Sequence, residues 1–173
     1  MTKEALIKLF FDKHNEFLAY INTLPDVEFM ISKNHKWTPG QQLDHIYLCL
    51  QPLAQALASK AYIEQKFGLI KRPFLSYNEV IANYDAALKK GGKAPERFVP
   101  KSVELDQKPE LLTLTHEMIK AISDQLTTYT ETELDTLALP HPLLGLLTVK
   151  EMFYLMAHHA THHLDQTKQN LKN

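Results

Sequence analysis

A chain of 173 residues, 45% hydrophobic and 23% charged, is long enough to bury one sizeable core and short enough to be read as a single domain over residues 1–173. The formal net charge of −1 gives no electrostatic reason to expect nucleic acid or an anionic membrane as partner. A single cysteine, Cys49, excludes an internal disulfide and fits a reducing cytoplasm. The segment MTKEALIKLFFDKHNEF carries charges throughout, so it has no apolar signal core, and no stretch is long enough to span a bilayer.

The elements read as helices almost throughout. From Thr2 to about Leu24, Leu6, Leu9, Phe10, Phe17 and Ile21 recur at helical spacing, and Pro25 ends the run. Thr38-Pro39-Gly40-Gln41 is a strong helix start, with Thr38 as cap, Pro39 in the first turn and Gln41 completing a capping box. The run continues through Leu43, Ile46, Leu50, Leu53 and Leu57 to about Phe67, with a kink expected at Pro52. Ser76-Tyr77-Asn78-Glu79 opens a shorter helix that stops at Gly91-Gly92. An extended crossover with Pro95 and Pro100 leads to a helix starting at Pro109-Glu110 and carrying Leu112, Thr115, Ile119, Ile122 and Leu126 on one face. Thr130 to Leu147 reads as a second irregular connection, after which Thr148-Val149-Lys150-Glu151 caps the last helix. Four long amphipathic helices, one short extra helix and no strand predict an all-α four-helix bundle. The long crossover between the second and third long helices makes those two parallel neighbours.

The last helix holds His158-His159-Ala160-Thr161-His162-His163. Val149, Met152, Phe153, Met156 and Ala160 define its apolar face at 100° per residue, roughly. His163 falls within that face and His159 at its edge, so these two point into the bundle. His158 and His162 fall on the opposite side, toward solvent or a partner. Two imidazoles on adjacent turns can hold one metal ion, and a third ligand must come from another helix. His14, His45 and His116 lie on the other long helices, and the wheel does not choose among them, because His45 sits roughly 120° from its helix's apolar direction. Cys49 shares the side of His45 and offers a further donor, although a lone cysteine is more often a small buried hydrophobe. Asp44 reads as a capping or surface residue, Trp37 and Tyr47 as pocket-lining or packing residues, and His35, His116 and His141 as polar surface or edge residues.

Three stretches together resemble a known family. Trp37-Thr38-Pro39-Gly40-Gln41-Gln42-Leu43-Asp44-His45-Ile46 resembles the start of the second helix of the DinB/YfiT-like metalloenzyme superfamily. His141-Pro142-Leu143-Leu144-Gly145-Leu146-Leu147-Thr148 resembles its approach to the last helix. His159-x-x-x-His163-x-x-Gln166 resembles its C-terminal pattern of two ligands followed by glutamine. The resemblance implies a metal triad of His45, His159 and His163, a bundle with the second and third helices parallel, a metal pocket at one end, and a homodimer. Gln166 lies on the same side as His159, which suits either an outer-sphere group that orients a ligand ring by hydrogen bonding or a surface residue near the helix end.

Three neutral imidazoles leave a divalent ion its full charge and an open position, which is the layout of a catalytic site. Zn or Ni leads, with Fe or Cu also suited to imidazole. Ala160 follows His159, so the glutamate base of a zinc peptidase is missing and peptide hydrolysis is not expected. The remaining expectation is activation of water or of a low-molecular-weight thiol co-substrate against a small-molecule electrophile, with S-transfer the activity that the resemblance implies. The alternative is a non-catalytic metal-binding or dimerisation bundle of the same fold.

Overall fold

The computed structural model describes residues 1–172. In chain order it contains α1 (Lys3–Thr23), α2 (Asp26–Met30), α3 (Pro39–Leu57), α4 (Lys60–Phe67), α5 (Tyr77–Lys89), 3₁₀ turns at Glu96–Phe98 and Leu105–Gln107, α6 (Lys108–Thr127), α7 (Glu131–Thr136), β1 (Ala138–His141), β2 (Gly145–Thr148) and α8 (Val149–Lys172). The fold is thus mostly helical, with one small two-stranded sheet among the described residues. No described helix is long and apolar enough to cross a membrane.

Local chemistry accounts for the boundaries. Thr38 accepts from Gln41 N and the Gln41 side chain returns to Thr38 N, which starts α3 as the sequence predicts. The single helix predicted to run to Phe67 is broken at Ala58–Ser59. Ser59 adopts an extended conformation and its hydroxyl caps Tyr62 N, so a new helix begins there, while Pro52 sits inside α3 without ending it. The connection read as irregular from Thr130 holds two structures. Thr130 and Glu133 form a reciprocal box that opens α7. The expectation of no strand fails next: β1 and β2 form an antiparallel hairpin, pairing Leu139 with Leu147 and Ala138 with Thr148. Four-residue strands carrying Pro140 give too short an alternation to be read as a period. Gly145 turns the chain at φ +71°, a conformation that glycine adopts without a Cβ penalty. Leu69 forms an isolated antiparallel bridge with Leu137, the residue before β1.

Leu6, Phe10 and Phe17 of α1, Leu43, Ile46 and Leu50 of α3, Ile119 and Ile122 of α6, and Phe153 of α8 are fully buried in one core. Hydrogen bonds between ends fix how the long helices lie. Tyr129 donates to Leu57 O and Lys60 to Thr128 O, so the C-terminal ends of α3 and α6 sit side by side. Lys3 N and Lys150 Nζ both reach Glu131, which brings together the N-terminal ends of α1 and α8. At the start of α3, Gly40 lies where a Cβ would stand 2.9 Å from Phe29 and 3.1 Å from Val103, a close approach that anchors the crossover against the helix.

His14, one of the third-ligand candidates, belongs to this core and not to the site. Its Nδ1 donates to Phe10 O at 2.8 Å, and its Nε2 is buried without a partner. Burial pushes its pKa down to about 4, against the helix hydrogen bond that opposes the shift. The unfolded chain therefore takes up a proton at pH 6.5, approximately, that the folded chain refuses. Stability is kept above that pH and lost as pH falls to about 4, by roughly 3 kcal/mol from this residue. Urea denaturation across this window should show a smaller acid loss for His14→Gln than for the unsubstituted protein; equal losses would contradict the assignment.

Candidate metal centre

α3 and α8 bring three imidazoles together, with His159 between the other two. His45 Nε2 lies 3.2 Å from His159 Nε2, and His163 Nε2 lies 2.9 Å from His159 Nε2. All three residues are under a tenth exposed. With metal–nitrogen bonds of about 2.0–2.1 Å, two ligand nitrogens at angles between octahedral and tetrahedral stand about 2.9–3.4 Å apart. The His45–His159 and His159–His163 spacings each fall in that range.

The hydrogen bonds behind the rings fix two of the tautomers. Phe98 O can only accept, so His45 Nδ1, 2.6 Å away, is the protonated nitrogen, and Nε2 offers a lone pair. His163 Nδ1 donates likewise to Gln42 Oε1 at 2.5 Å. Both lone pairs therefore face His159 Nε2. One proton on His159 Nε2 could serve only one of them well. His159 Nδ1 is buried without a partner, so this ring is held by packing, edge-on to His163 at 4.4 Å and to Tyr84 of α5 at 6.3 Å. Burial keeps all three imidazoles below their ordinary pKa. At His45 the Phe98 hydrogen bond opposes that effect, while His159 and His163 are pushed further down by neighbouring histidines. Neutral imidazole is the form that binds metal.

Cys49 stands one turn on from His45, its Sγ 3.6 Å from His45 Nε2. His45, Cys49 and His159 each place a donor atom within 4.8 Å of the others, so this sulfur is a geometric alternative to His163. Burial pushes the Cys49 thiol up to about 12, and no hydrogen bond to a backbone group orients it as those of His45 and His163 are oriented.

The remaining candidates fall elsewhere. His116 is exposed and pairs with Asn15 at 3.0 Å. Gln166 hydrogen-bonds outside the trio: its amide donates to His162 Nε2 at 2.8 Å. His158 and His162 are half-buried and not open to solvent as their side of the wheel suggests, because α5 covers that flank: His158 lies 3.6 Å from Asp85 and edge-on to Tyr84. Trp37 packs against His45 at 5.0 Å and lies parallel to His163 at 6.3 Å. The residue that sequence reasoning missed is Gln42, three positions before His45 and so on the same face of α3. Its signal was that spacing. The Phe98 carbonyl left no signal, since backbone atoms of a distant crossover have none. Gln42→Ala should weaken zinc binding about 10- to 100-fold, and Gln166→Ala should leave it unchanged; competition with a chelating dye measures both.

The trio lines a cavity of about 1310 Å³ together with Trp37, Tyr84, Phe98, Leu143, Met152 and Met156. Residues from α3, α5, α8, the crossover and the hairpin all contribute, which is why the long connections matter to the site. Among the described residues, none of those lining the cavity is Asp or Glu.

A mostly helical protein in which His45, Cys49 and His159 gather donor atoms that could hold a metal ion, with His163 beside them, is a protein with a candidate metal centre. The sequence profile of the DinB superfamily matches residues 12–167, and the chain belongs to that superfamily. No curated protein matches the chain significantly.

Proposed function

We propose that His45, His159 and His163 hold one divalent transition metal, Zn or Ni, and that the site transfers a low-molecular-weight thiol to a small electrophile. We read the chain as one domain in which α1, α3, α6 and α8 form a four-helix bundle, α3 and α6 running parallel, with the metal at one end. The observation that carries the metal assignment is the approach of His45 Nε2 and His163 Nε2 to His159 Nε2, both aimed by Nδ1 donors to Phe98 O and Gln42 Oε1. When bound, such an ion supplies positive charge that lowers the pKa of a thiol or water reaching its open position.

The chain's own residues favour thiol over water. Activating water profits from a general base, and the cavity is poor in them. No described carboxylate lines it. Tyr84, pushed up to about 12 chiefly by burial, stays a donor. His141 accepts from Leu143 N at Nδ1, so its proton sits on Nε2, and burial drives its pKa down to about 4. His162 already accepts from Gln166. A thiol, with a free pKa of about 8.5, starts far closer to its ionised form than water does, so a bound divalent ion would let it release its proton to solvent without a protein base. The cavity exceeds the 300–1,000 Å³, approximately, that a single small ligand usually occupies, leaving room for thiol and acceptor together.

Metal-loaded, tag-free protein should consume an alkylating electrophile in the presence of one or more low-molecular-weight thiols faster than the solution reaction. The excess rate should vanish on metal removal. Ester or amide hydrolysis without thiol dependence would overturn the transferase reading.

A further inference from the structure

We propose that the cavity selects an organic anion, a ligand with an apolar body and a carboxylate, sulfonate or phosphate, and that Lys36, Lys66, Lys93 and Arg97 at its rim make the selection. The proposal deepens the small-molecule site described above, but its charge argument stands without the metal.

Charge is distributed very unevenly. The chain has 20 acidic residues and 19 lysines and arginines, nearly in balance. Around the cavity the balance disappears: four of the cations line it, and among the described residues no acid does. None of the four makes an ion pair with a described carboxylate. Lys66 donates to the Tyr62 hydroxyl at 2.6 Å, and Arg97 lies over the Phe98 ring at 4.7 Å. Asp85 and Asp165 line a separate recess on the other side of His162, beside His158. All four cations are exposed, so their charge is available to a ligand entering the mouth.

The backbone holds these charges close to the imidazoles. Arg97 immediately precedes Phe98, whose carbonyl orients His45. Lys36 immediately precedes Trp37, which packs on His45. The turn before it is constrained: Asn34 and His35 take φ of 52° and 58°, in the left-handed region, and Ser32 Oγ donates to Lys36 O. Below the rim the walls are apolar, with Leu143, Met152, Leu155 and Met156. A cation ring over an apolar well, with low-dielectric walls, concentrates an amphiphilic anion and disfavours a cation of the same shape.

The test uses metal-free protein, so that no ion contributes. Fluorescence titration compares 8-anilinonaphthalene-1-sulfonate with the neutral N-phenyl-1-naphthylamine, two probes of similar body. The sulfonate should bind at one site on the order of tenfold more tightly, and added salt should erode only its affinity. The exposed double substitution Lys93→Gln with Arg97→Gln should bring the two probes together; Lys36→Gln with Lys66→Gln is the second arm should the first disturb the fold by circular dichroism. Equal affinities in the unsubstituted protein, or a preference that survives both arms in folded protein, would overturn the proposal. Zinc titration of the same variants separates the two readings. Loss of probe selectivity with zinc binding intact supports the rim assignment, and probe selectivity in a protein that never binds zinc supports it while the metal reading falls.

Discussion

Replacing His159 with alanine is expected to abolish stoichiometric binding of zinc or nickel, with affinity falling by more than about 100-fold. That exceeds the 10- to 100-fold, approximately, typical of outer-sphere partners such as Gln42, because a donor atom is lost outright. His159 is the hub, since its Nε2 is the atom that both other Nε2 atoms approach, at 3.2 and 2.9 Å. His162→Ala, four residues from His158 on the same helix, should bind normally, because His162 faces Gln166 and the α5 side. Competitive titration against a chelating dye, on protein without a histidine tag, reads both. Equal losses for the two variants would show that the histidine cluster binds metal without the facing inferred here.

Replacing Arg72 with methionine is expected to cost about 3–5 kcal/mol, because it strips the counter-ion from a buried carboxylate. The Glu151 side chain is fully buried. It accepts from Arg72 Nη1 at 2.6 Å and Nη2 at 2.8 Å, from Leu75 N at 2.5 Å and from Thr148 N at 2.8 Å. Burial alone would raise its pKa, but these donors outweigh burial and hold the carboxyl below its usual range. One side chain thus caps α8 and pins the segment leading into α5, two elements that frame the cavity. For a chain of this size the loss corresponds to a fall in Tm of roughly 6–20 °C. Adding Glu151→Gln to Arg72→Met should recover part of it by removing the stranded charge, and the double-mutant cycle gives the coupling. A single Arg72→Met variant as stable as the unsubstituted protein would contradict this account of the anchor.

Helix starts were legible because their chemistry is local. Thr38 with Gln41, Ser76 with Glu79 and Thr148 with Glu151 all form the reciprocal boxes that their spacing predicts. Thr130 with Glu133 has the same spacing and forms the same box, but the helix it opens has only six residues, too few to establish a helical period. The hairpin stayed hidden for a related reason, since four residues a side cannot establish a period. At the site, the inward facing of His159 and His163 followed from the apolar stripe of their own helix. His45 did not yield to the same reasoning, because what buries it is not its own helix but the crossover, whose Phe98 carbonyl arrives from 53 positions away. A residue off the apolar stripe becomes buried when a distant segment covers it, and a wheel carries no information about that segment. The Arg72 partner of Glu151 is illegible for the same reason, at a separation of 79 positions.

X-ray absorption at the zinc edge, on tag-free protein loaded with one equivalent of zinc, tests the central claim most directly. The expected result is a shell of nitrogen and oxygen scatterers at about 2.0–2.1 Å with the multiple scattering of imidazole rings and no sulfur. A sulfur shell at about 2.3 Å would put Cys49 in place of an imidazole, and zinc that stays in solution would contradict a metal centre altogether.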